Sequence, residues 1–122
     1  MRTLAQKRAG FALKETLSVL GNVDRDKFKS LAAGAPAMIL QNGLGQSLAF
    51  WVAKGKDEQM LLFKIITKWL KEEHKSSFGT CQHHADYLKK LTDIDQKKYL
   101  EAQNETLALL EWVKRFAAAD LE

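Results

Sequence analysis

Residues 38–50 read MILQNGLGQSLAF, an apolar segment that contains two glycines and three amide side chains. Inside a helix, each glycine costs roughly 0.5 to 1 kcal/mol relative to alanine. Gly43 and Gly45 therefore indicate either a close approach of two backbones or a bend in the chain. A buried amide without a hydrogen bond costs about 1 to 3 kcal/mol, so the amides are expected to have partners. These amides are Gln41, Asn42 and Gln46.

The rest of the chain is patterned for helices. Apolar residues recur at the 3.6-residue period from one end to the other, with one proline and almost no alternation of β-branched residues. These features predict an all-α fold, a single-domain helical bundle of about five to six helices. A chain of 122 residues with 46% hydrophobic content is long enough for one domain with a core. We place that domain at residues 1–120 and treat residues 121–122 as a candidate cloning scar.

Three helices are predicted in the N-terminal half. The first covers about residues 3–20 and has Thr3 as its N-cap. A short helix over about residues 26–33 ends where a Gly-Ala-Pro sequence at 34–36 breaks the pattern. The third helix starts at that proline, carries both glycines and ends near Gly55. Because it is apolar nearly all round, it is expected to be central and buried.

Three further helices are predicted in the C-terminal half. Asp57 caps a long helix that reaches about residue 75. A turn at residues 76–79 leads to a shorter helix over 80–91, and Asp93 or Asp95 caps the last one. The long helix has a buried stripe and a solvated lysine face. The stripe comprises Leu61, Leu62, Ile65, Ile66, Trp69 and Leu70, and the lysines are Lys64, Lys68, Lys71 and Lys75.

Positive charge is concentrated in the first half of the chain. Residues 1–56 hold nine Lys and Arg against three Asp and Glu, a net charge of +6, whereas residues 57–122 have a net charge of −2. On the first helix, Lys7 and Lys14 fall on one line with Phe11 between them. The core face of this helix is predicted to be Ala5, Ala9, Leu13, Thr16, Leu17 and Leu20.

Two interpretations of this basic edge stay open. Basic side chains around an outward aromatic ring are able to bind a phosphate backbone and stack a base. Alternatively, the edge is simply solvated and Phe11 packs beneath a neighbouring helix or subunit. From the residues alone we favour the second interpretation, because an overall net charge of +4 is modest for a nucleic-acid-binding protein.

Residues with catalytic or metal-binding chemistry are few. Cys81, His83 and His84 are close in sequence, with His74 nearby, but neighbouring helical side chains point about 100° apart and the usual zinc spacings are absent. Cys81 also lacks an orienting group for nucleophilic catalysis. Acidic pairs occur where helix caps and solvated faces place them. We therefore predict no enzymatic activity, no metal and no cofactor.

The cellular compartment is predicted from what the sequence lacks. One cysteine excludes an intramolecular disulfide framework, and the N-terminus has no long apolar run typical of a signal peptide. No apolar stretch reaches about 18 residues, so no membrane partner is expected. The sequence predicts a soluble, cytoplasmic protein.

Three blocks of sequence carry a family resemblance. They read RTLAQKRAGFAL at residues 2–13, MILQNGLGQSLAFWVAKGK at 38–56 and LALLEWVKRFAAA at 107–119. Together, and in this order, they resemble the small all-helical subunit of the type III-B CRISPR RNA-guided effector, the Cmr complex. The central NGLGQ-x-LAF run is the most specific part, and the resemblance covers nearly the whole chain.

The resemblance implies a protein without its own active site. Such subunits are helical bundles that stack head to tail along an antiviral ribonucleoprotein filament, and their basic surface lines the channel of the guide–target duplex. The implied partners are other effector subunits, further copies of the chain, guide RNA and target RNA. The candidate nucleic-acid-binding residues are Arg2, Lys7, Arg8, Lys14, Lys54, Lys56, Lys114 and Arg115.

Two other function classes stay open. One is a free-standing DNA-binding regulator, which needs an exposed recognition helix, and the predicted helix over residues 26–33 is short for that role. The other is a purely structural adaptor whose charged faces serve protein contacts and solubility.

Overall fold

The computed structural model describes residues 1–119 and 121. Within that range the chain forms seven helices and no strand, which confirms the all-α prediction. Six of the helices are substantial, and α5 is a single turn. The C-terminal end of the predicted domain, Asp120, and the second residue of the candidate cloning scar, Glu122, lie outside the described residues. The helices are α1 (Leu4–Val19), α2 (Arg25–Asn42), α3 (Leu44–Lys54), α4 (Asp57–Glu73), α5 (Lys75–Phe78), α6 (His84–Asp93) and α7 (Gln96–Ala118).

The fold is assembled on α7. Both α1 and α2 make their largest interfaces with this helix, and α4 also packs against it. The face that α7 buries follows the predicted 3.6-residue spacing. Its members are Ala102, Glu105, Thr106, Leu109, Leu110 and Val113.

The helix break predicted at residues 34–36 was wrong. α2 continues through Pro36 to Asn42, and the break lies at Gly43. An interior proline costs about 3 kcal/mol. That cost is offset by a continuous buried stripe, spaced by four, three and four residues, along α2. The stripe comprises Phe28, Ala32, Ala35 and Ile39.

Gly43 ends one helix and begins the next. Its φ of 86° and ψ of 160° lie in a region that is nearly restricted to glycine. The Gly43 N–H donates to the carbonyl of Ile39, and the Gly43 carbonyl accepts from the N–H of Ser47. The long central helix predicted from residue 36 is therefore two helices, α2 and α3, which meet at this glycine.

The predicted burial of the glycine-bearing segment was wrong in part. α3 buries Leu44, Ser47, Leu48 and Trp51, but Phe50 is 44% exposed, so the helix is amphipathic. The three amides expected to be buried are not buried. The break at Gly43 gives α2 and α3 separate outer faces, and the amides lie on them. They are Gln41, Asn42 and Gln46.

The core face of α1 is rotated from the predicted one. Ala12, Thr16 and Val19 are buried, whereas Leu13 and Leu17 are 36% and 47% exposed. Of the predicted face, Thr16 is buried as expected, but Ala5 is exposed together with the two leucines. The structure instead buries small and β-branched side chains along the tight contact between α1 and α7, which leaves the leucines outside.

The elements between α4 and α7 differ from the predicted turn and helix. Residues 75–78 form the short helix α5, and α6 begins at His84, after the predicted Thr80 cap. The start of α6 is set by Asp86, whose carboxylate accepts from the N–H groups of Gln82 and His83 at 3.0 and 2.9 Å. Asp95, one of the two predicted candidates, caps α7 by accepting from the Lys98 N–H. The predicted Asp57 cap was wrong, because Asp57 is the first residue of α4 and Lys56 is its N-cap.

Candidate nucleic-acid interface

The N-terminal turn of α1 is held by a capping box. The Gln6 N–H donates to Thr3 Oγ1 at 3.1 Å, and the Thr3 N–H donates to Gln6 Oε1 at 2.8 Å. This reciprocal pair satisfies two otherwise free backbone donors. Lys7 and Lys14 then project from one edge of the helix, as the sequence predicts.

Arg2 joins this edge although it precedes the helix. Its guanidinium reaches to 3.3 Å from the position that a Cβ would occupy at Gly10, so it lies back along α1. A surface depression between α1 and α4 collects these groups. It is lined by Arg2, Lys7, Gly10, Phe11, Lys14, Trp69, Glu72 and Glu73.

The Phe11 ring forms the floor of this edge. It packs on Trp69 with ring centroids 4.8 Å apart, and Lys68 Nζ lies 5.8 Å from its centroid. Lys68 Nζ also binds Glu15 Oε1 at 3.1 Å. Because Phe11 is half-buried beneath α4, it is not free to stack a base. The structure supports the packing interpretation of this ring.

Arg8 points into the bundle. Its Nη2 donates to Glu105 Oε1 at 3.0 Å, its Nε binds Glu105 Oε2, and the Trp69 indole N–H donates to Glu105 Oε2 at 2.8 Å. The group therefore joins α1, α4 and α7. Arg8 is 21% exposed and Glu105 is 8% exposed. Among the predicted basic residues, Arg8 has its guanidinium committed to an internal ion pair.

The ion pair shifts the acidity of both partners. Burial would raise the pKa of Glu105, but the hydrogen bonds from Arg8 and Trp69 and the charge of Arg8 outweigh burial and lower this pKa. The hydrogen bond to Glu105 raises the pKa of Arg8 further. Glu105 is therefore an ionised carboxylate at neutral pH and holds the three helices through charge-assisted bonds.

The remaining predicted basic residues lie at other places on the surface. Lys54 ends α3, and its Nζ lies 5.5 Å from the Phe50 ring centroid. Lys56 precedes α4 and is exposed, at the opposite end of that helix from Glu72. On α7, Lys114 pairs with Glu111 at 3.0 Å and Arg115 is exposed. Among the described residues, none of these four lines the depression that contains Arg2, Lys7 and Lys14.

Cys81 and His84 both pack against neighbouring parts of the bundle. Cys81 is buried, and burial raises the pKa of its thiol, which lowers its nucleophilicity at neutral pH. The His84 ring packs edge-on against Phe63 with centroids 4.9 Å apart. Over residues 1–119 and 121, no three His, Cys, Asp or Glu side chains are grouped so that they could hold a metal ion.

Comparison with known proteins assigns the family. A sequence profile described as "CRISPR-associated protein (Cas_Cmr5)" matches residues 4–120. This chain belongs to the Cmr5 family. The family confirms the resemblance found in the sequence, to the small subunit of the type III-B CRISPR Cmr complex.

Cmr5 proteins from Thermus thermophilus are similar over the full length. The CRISPR system Cmr subunit Cmr5 is 29% identical over 122 residues, which cover 100% of this chain and 99% of the relative. The X-ray crystal structure of a CRISPR-associated Cmr5 family protein superposes with a TM-score of 0.80 at 26% identity, and each chain is covered completely. The similarity in fold is therefore not confined to one part of the described chain.

Sequence reasoning on this Cmr5 chain missed the position of the α4 lysines. The sequence predicts a solvated face, and Lys64, Lys68 and Lys75 are exposed, while Lys71 Nζ donates to the Cys81 carbonyl at 2.7 Å. Lys75 lies on α5 and not on α4, because α4 ends at Glu73. The structure also places this face beside α1, because Lys68 contacts both Phe11 and Glu15. The sequence shows that Lys64, Lys68 and Lys71 recur on one side of α4, but it does not show that α1 lies beside them.

Over residues 1–119 and 121, no helix of the Cmr5 chain combines the length and the apolar character that crossing a bilayer requires.

Proposed function

We propose that this chain is a non-catalytic subunit that contacts the phosphates of guide and target RNA within a type III-B CRISPR effector and stacks head to tail with its neighbours in antiviral defence. The observation that carries the proposal is the cluster of Arg2, Lys7 and Lys14 at the surface beside α4. Membership of the Cmr5 family supports the RNA-guided setting.

The chemistry of these side chains favours contact with phosphates without recognition of sequence. Lysine ammonium groups are point charges on flexible stems, and they bind phosphate oxygens without the geometry that distinguishes bases. In RNA-guided effectors, base pairing with the guide supplies sequence specificity. A subunit with such a surface adds affinity that depends on salt and not on sequence.

A non-catalytic role agrees with the positions of the polar side chains. Glu105 is occupied by Arg8 and Trp69, Asp86 caps α6, and the thiol of Cys81 is buried with a raised pKa. Glu105 and Asp86 thus have structural hydrogen-bond partners, and the raised pKa makes the Cys81 thiol a weak nucleophile at neutral pH. The basic edge, by contrast, is open to solvent.

Head-to-tail stacking is supported by apolar side chains left on the surface. Leu13 and Leu17 on α1 and Trp112 on α7 are between 36% and 47% exposed. The two helices that carry them are packed together through Arg8 and Glu105. Exposed apolar side chains on adjacent helices are typical of protein contacts, and heterologous contacts between identical subunits extend into filaments.

The test is target binding by the assembled effector that carries Lys7→Ala/Lys14→Ala. We expect weaker binding of target RNA, an unchanged sequence preference, and a salt slope that is shallower by about one unit per lost contact. Arg8 is left intact, because its loss would disturb the ion pair with Glu105.

The matched control removes two exposed lysines elsewhere, Lys29→Ala/Lys97→Ala. A salt slope equal to that of the control would contradict RNA contact by α1. If assembly failed while RNA binding by the intact particles persisted, the structural adaptor would be the better description.

A further inference from the structure

The lysines of α4 and the residue that begins α5 form a row along one side of the bundle. Lys64, Lys68, Lys71 and Lys75 follow one another at intervals of four, three and four residues. On α4 such intervals place Lys64, Lys68 and Lys71 on the same helical face, and Lys75 follows on α5 after α4 ends at Glu73. At a rise of 1.5 Å per residue, the part of the row on α4 is about 10 Å long. It is an extended line of positive charge and not a point site.

Two depressions border α4, and Lys68, Lys71 and Lys75 line one of them, whereas Lys64 lines neither. On one side is the α1–α4 depression, which contains Arg2, Lys7 and Lys14. On the other side, a second depression reaches from α4 to the turn after α5. It is lined by Lys68, Lys71, Glu72, Lys75 and Gly79. Glu72 lines both depressions and therefore separates them.

The charge of this region is large for its size. Six cationic side chains line the two depressions, against the carboxylates of Glu72 and Glu73. Glu15 pairs with Lys68 between α1 and α4 and brings the balance of the region to +3, which is most of the net charge of +4 of the whole chain. Most of the excess positive charge of the protein thus lies around α4, and half of the cations that line the two depressions come from the C-terminal half of the chain.

We propose that the α4 lysine row and the α1 cations form a single binding surface for the phosphodiester backbone of RNA, here called the two-helix basic face. This inference rests on the proposed function and extends the binding surface to α4. Its extended shape fits a polyanionic strand better than a single phosphate, because the cations come from α1, α4 and α5 and line two depressions.

Glu72 limits the affinity of the two-helix basic face. Its carboxylate lies in the wall shared by the two depressions. An RNA strand that contacts both the α1 cations and the lysine row would pass close to it. Like charges in exposed positions repel each other with a modest energy that salt screens. Removal of this one charge is therefore expected to strengthen RNA binding.

The loss experiment measures fluorescence anisotropy of a labelled single-stranded RNA with the full chain carrying Lys64→Gln/Lys75→Gln. Both positions are exposed and lie at the two ends of the row. Each lost contact lowers the salt slope by about 0.7 for a single strand, so the pair should lower it by about 1.4. The control Lys29→Gln/Lys97→Gln removes the same charge from exposed positions outside the two depressions.

The gain experiment uses Glu72→Gln in the same assay. We expect RNA to bind roughly two- to fivefold more tightly at low salt, in line with exposed charge pairs. The control Asp93→Asn makes the same change in net charge on α6, where Asp93 pairs with Lys89 at the surface. A gain cannot result from misfolding, so this variant keeps the inference testable if the lysine variant is unstable.

The results distinguish this inference from the proposed function. If the α4 variants match their controls while Lys7→Ala/Lys14→Ala still lowers the salt slope, the two-helix basic face is wrong and the α1 contact stands. If the α1 variant also matches its control, both are overturned. Tighter binding by Glu72→Gln together with a shallower slope for Lys64→Gln/Lys75→Gln supports the two-helix basic face.

Discussion

The hydroxyl oxygen of Tyr99 accepts a hydrogen bond from the backbone N–H of Gly45 at 2.9 Å, which ties the start of α3 to the first turn of α7. One residue earlier, the Leu44 N–H donates to Gln103 Oε1 at 2.9 Å. The first N–H groups of a helix have no partner within the helix, and Gly43 has no side chain to cap them. Two side chains of α7 therefore cap α3.

Tyr99→Phe should lower the free energy of unfolding by about 1 kcal/mol, because the Gly45 N–H loses its acceptor while the ring is kept. Urea denaturation monitored by circular dichroism measures the change. Tyr87→Phe is the control, since among the described residues the Tyr87 hydroxyl has no hydrogen-bond partner. Equal losses for the two variants would show that the cap on α3 contributes nothing.

Gly43→Ala should destabilise the fold by roughly 1 to 3 kcal/mol, because φ of 86° and ψ of 160° are strained for any residue with a Cβ. The new Cβ would also lie 3.3 Å from the Tyr99 hydroxyl. Thermal unfolding measures the loss. Gly34→Ala is the opposite case, since its Cβ would meet no atom within 4 Å inside α2 and should stabilise the protein. A stable Gly43→Ala protein would contradict the special role of this glycine.

Glu105→Ala should cost about 3 kcal/mol, because it leaves the Arg8 guanidinium and the Trp69 indole N–H without their acceptor inside the bundle. Chemical denaturation measures the change. Glu111→Ala is matched in chemistry on the same helix and breaks only a surface pair with Lys114, so it should cost less than about 1 kcal/mol. A similar loss in both variants would contradict a special contribution from the buried pair.

Stability should fall as the pH is lowered through the acid range. The pKa of Glu105 is held below its ordinary value of 4.5 in the folded protein, so the unfolded chain binds the proton first. Its stabilising contribution is present above pH 4.5 and disappears as the pH falls through the folded pKa.

The pH dependence of Glu105→Gln isolates this carboxylate. Asp86 and Asp93 also have lowered pKa values. Asp86 accepts hydrogen bonds from backbone N–H groups, and Asp93 accepts one from Lys89. Both carboxylates remain in the variant. The difference between the unfolding free energies of the wild type and the variant should therefore shrink below pH 4.5. A difference that does not change with pH would remove Glu105 from the acid response.

Trp112→Ala should change the melting temperature little and weaken assembly with effector subunits. Trp112 is 36% exposed and stacks on Phe116 with centroids 5.8 Å apart at the surface. Trp51, which is 1% exposed, is the core control and should lose about 3 to 5 kcal/mol on truncation to alanine. Melting curves and co-purification with neighbouring subunits are compared. A large loss of stability for Trp112→Ala would make it a core residue.

Local signals predicted several elements correctly. The capping residues Thr3 and Asp95 and the left-handed Gly55 mark helix ends where expected. The buried stripe of α4 also followed the pattern, with Leu61 half-buried and Phe63 and Thr67 added to the buried residues. These features depend on hydrogen bonds and side-chain spacing within about one turn of the chain. The position of the helix break, at Gly43 and not at Pro36, is not set by such local interactions. It depends on how α2 packs against α7.

The sequence by itself determined the helical class, most helix ends and the family, through residues close together along the chain. Only the tertiary structure decided what each basic residue does. Arg8 meets Glu105 across a separation of 97 positions and is held inside the bundle, while Lys68 meets Glu15 across 53 positions and brings the α4 lysines beside Lys7 and Lys14. A helical pattern gives the face on which a charge lies, but the partner across the interface is set by how the helices pack.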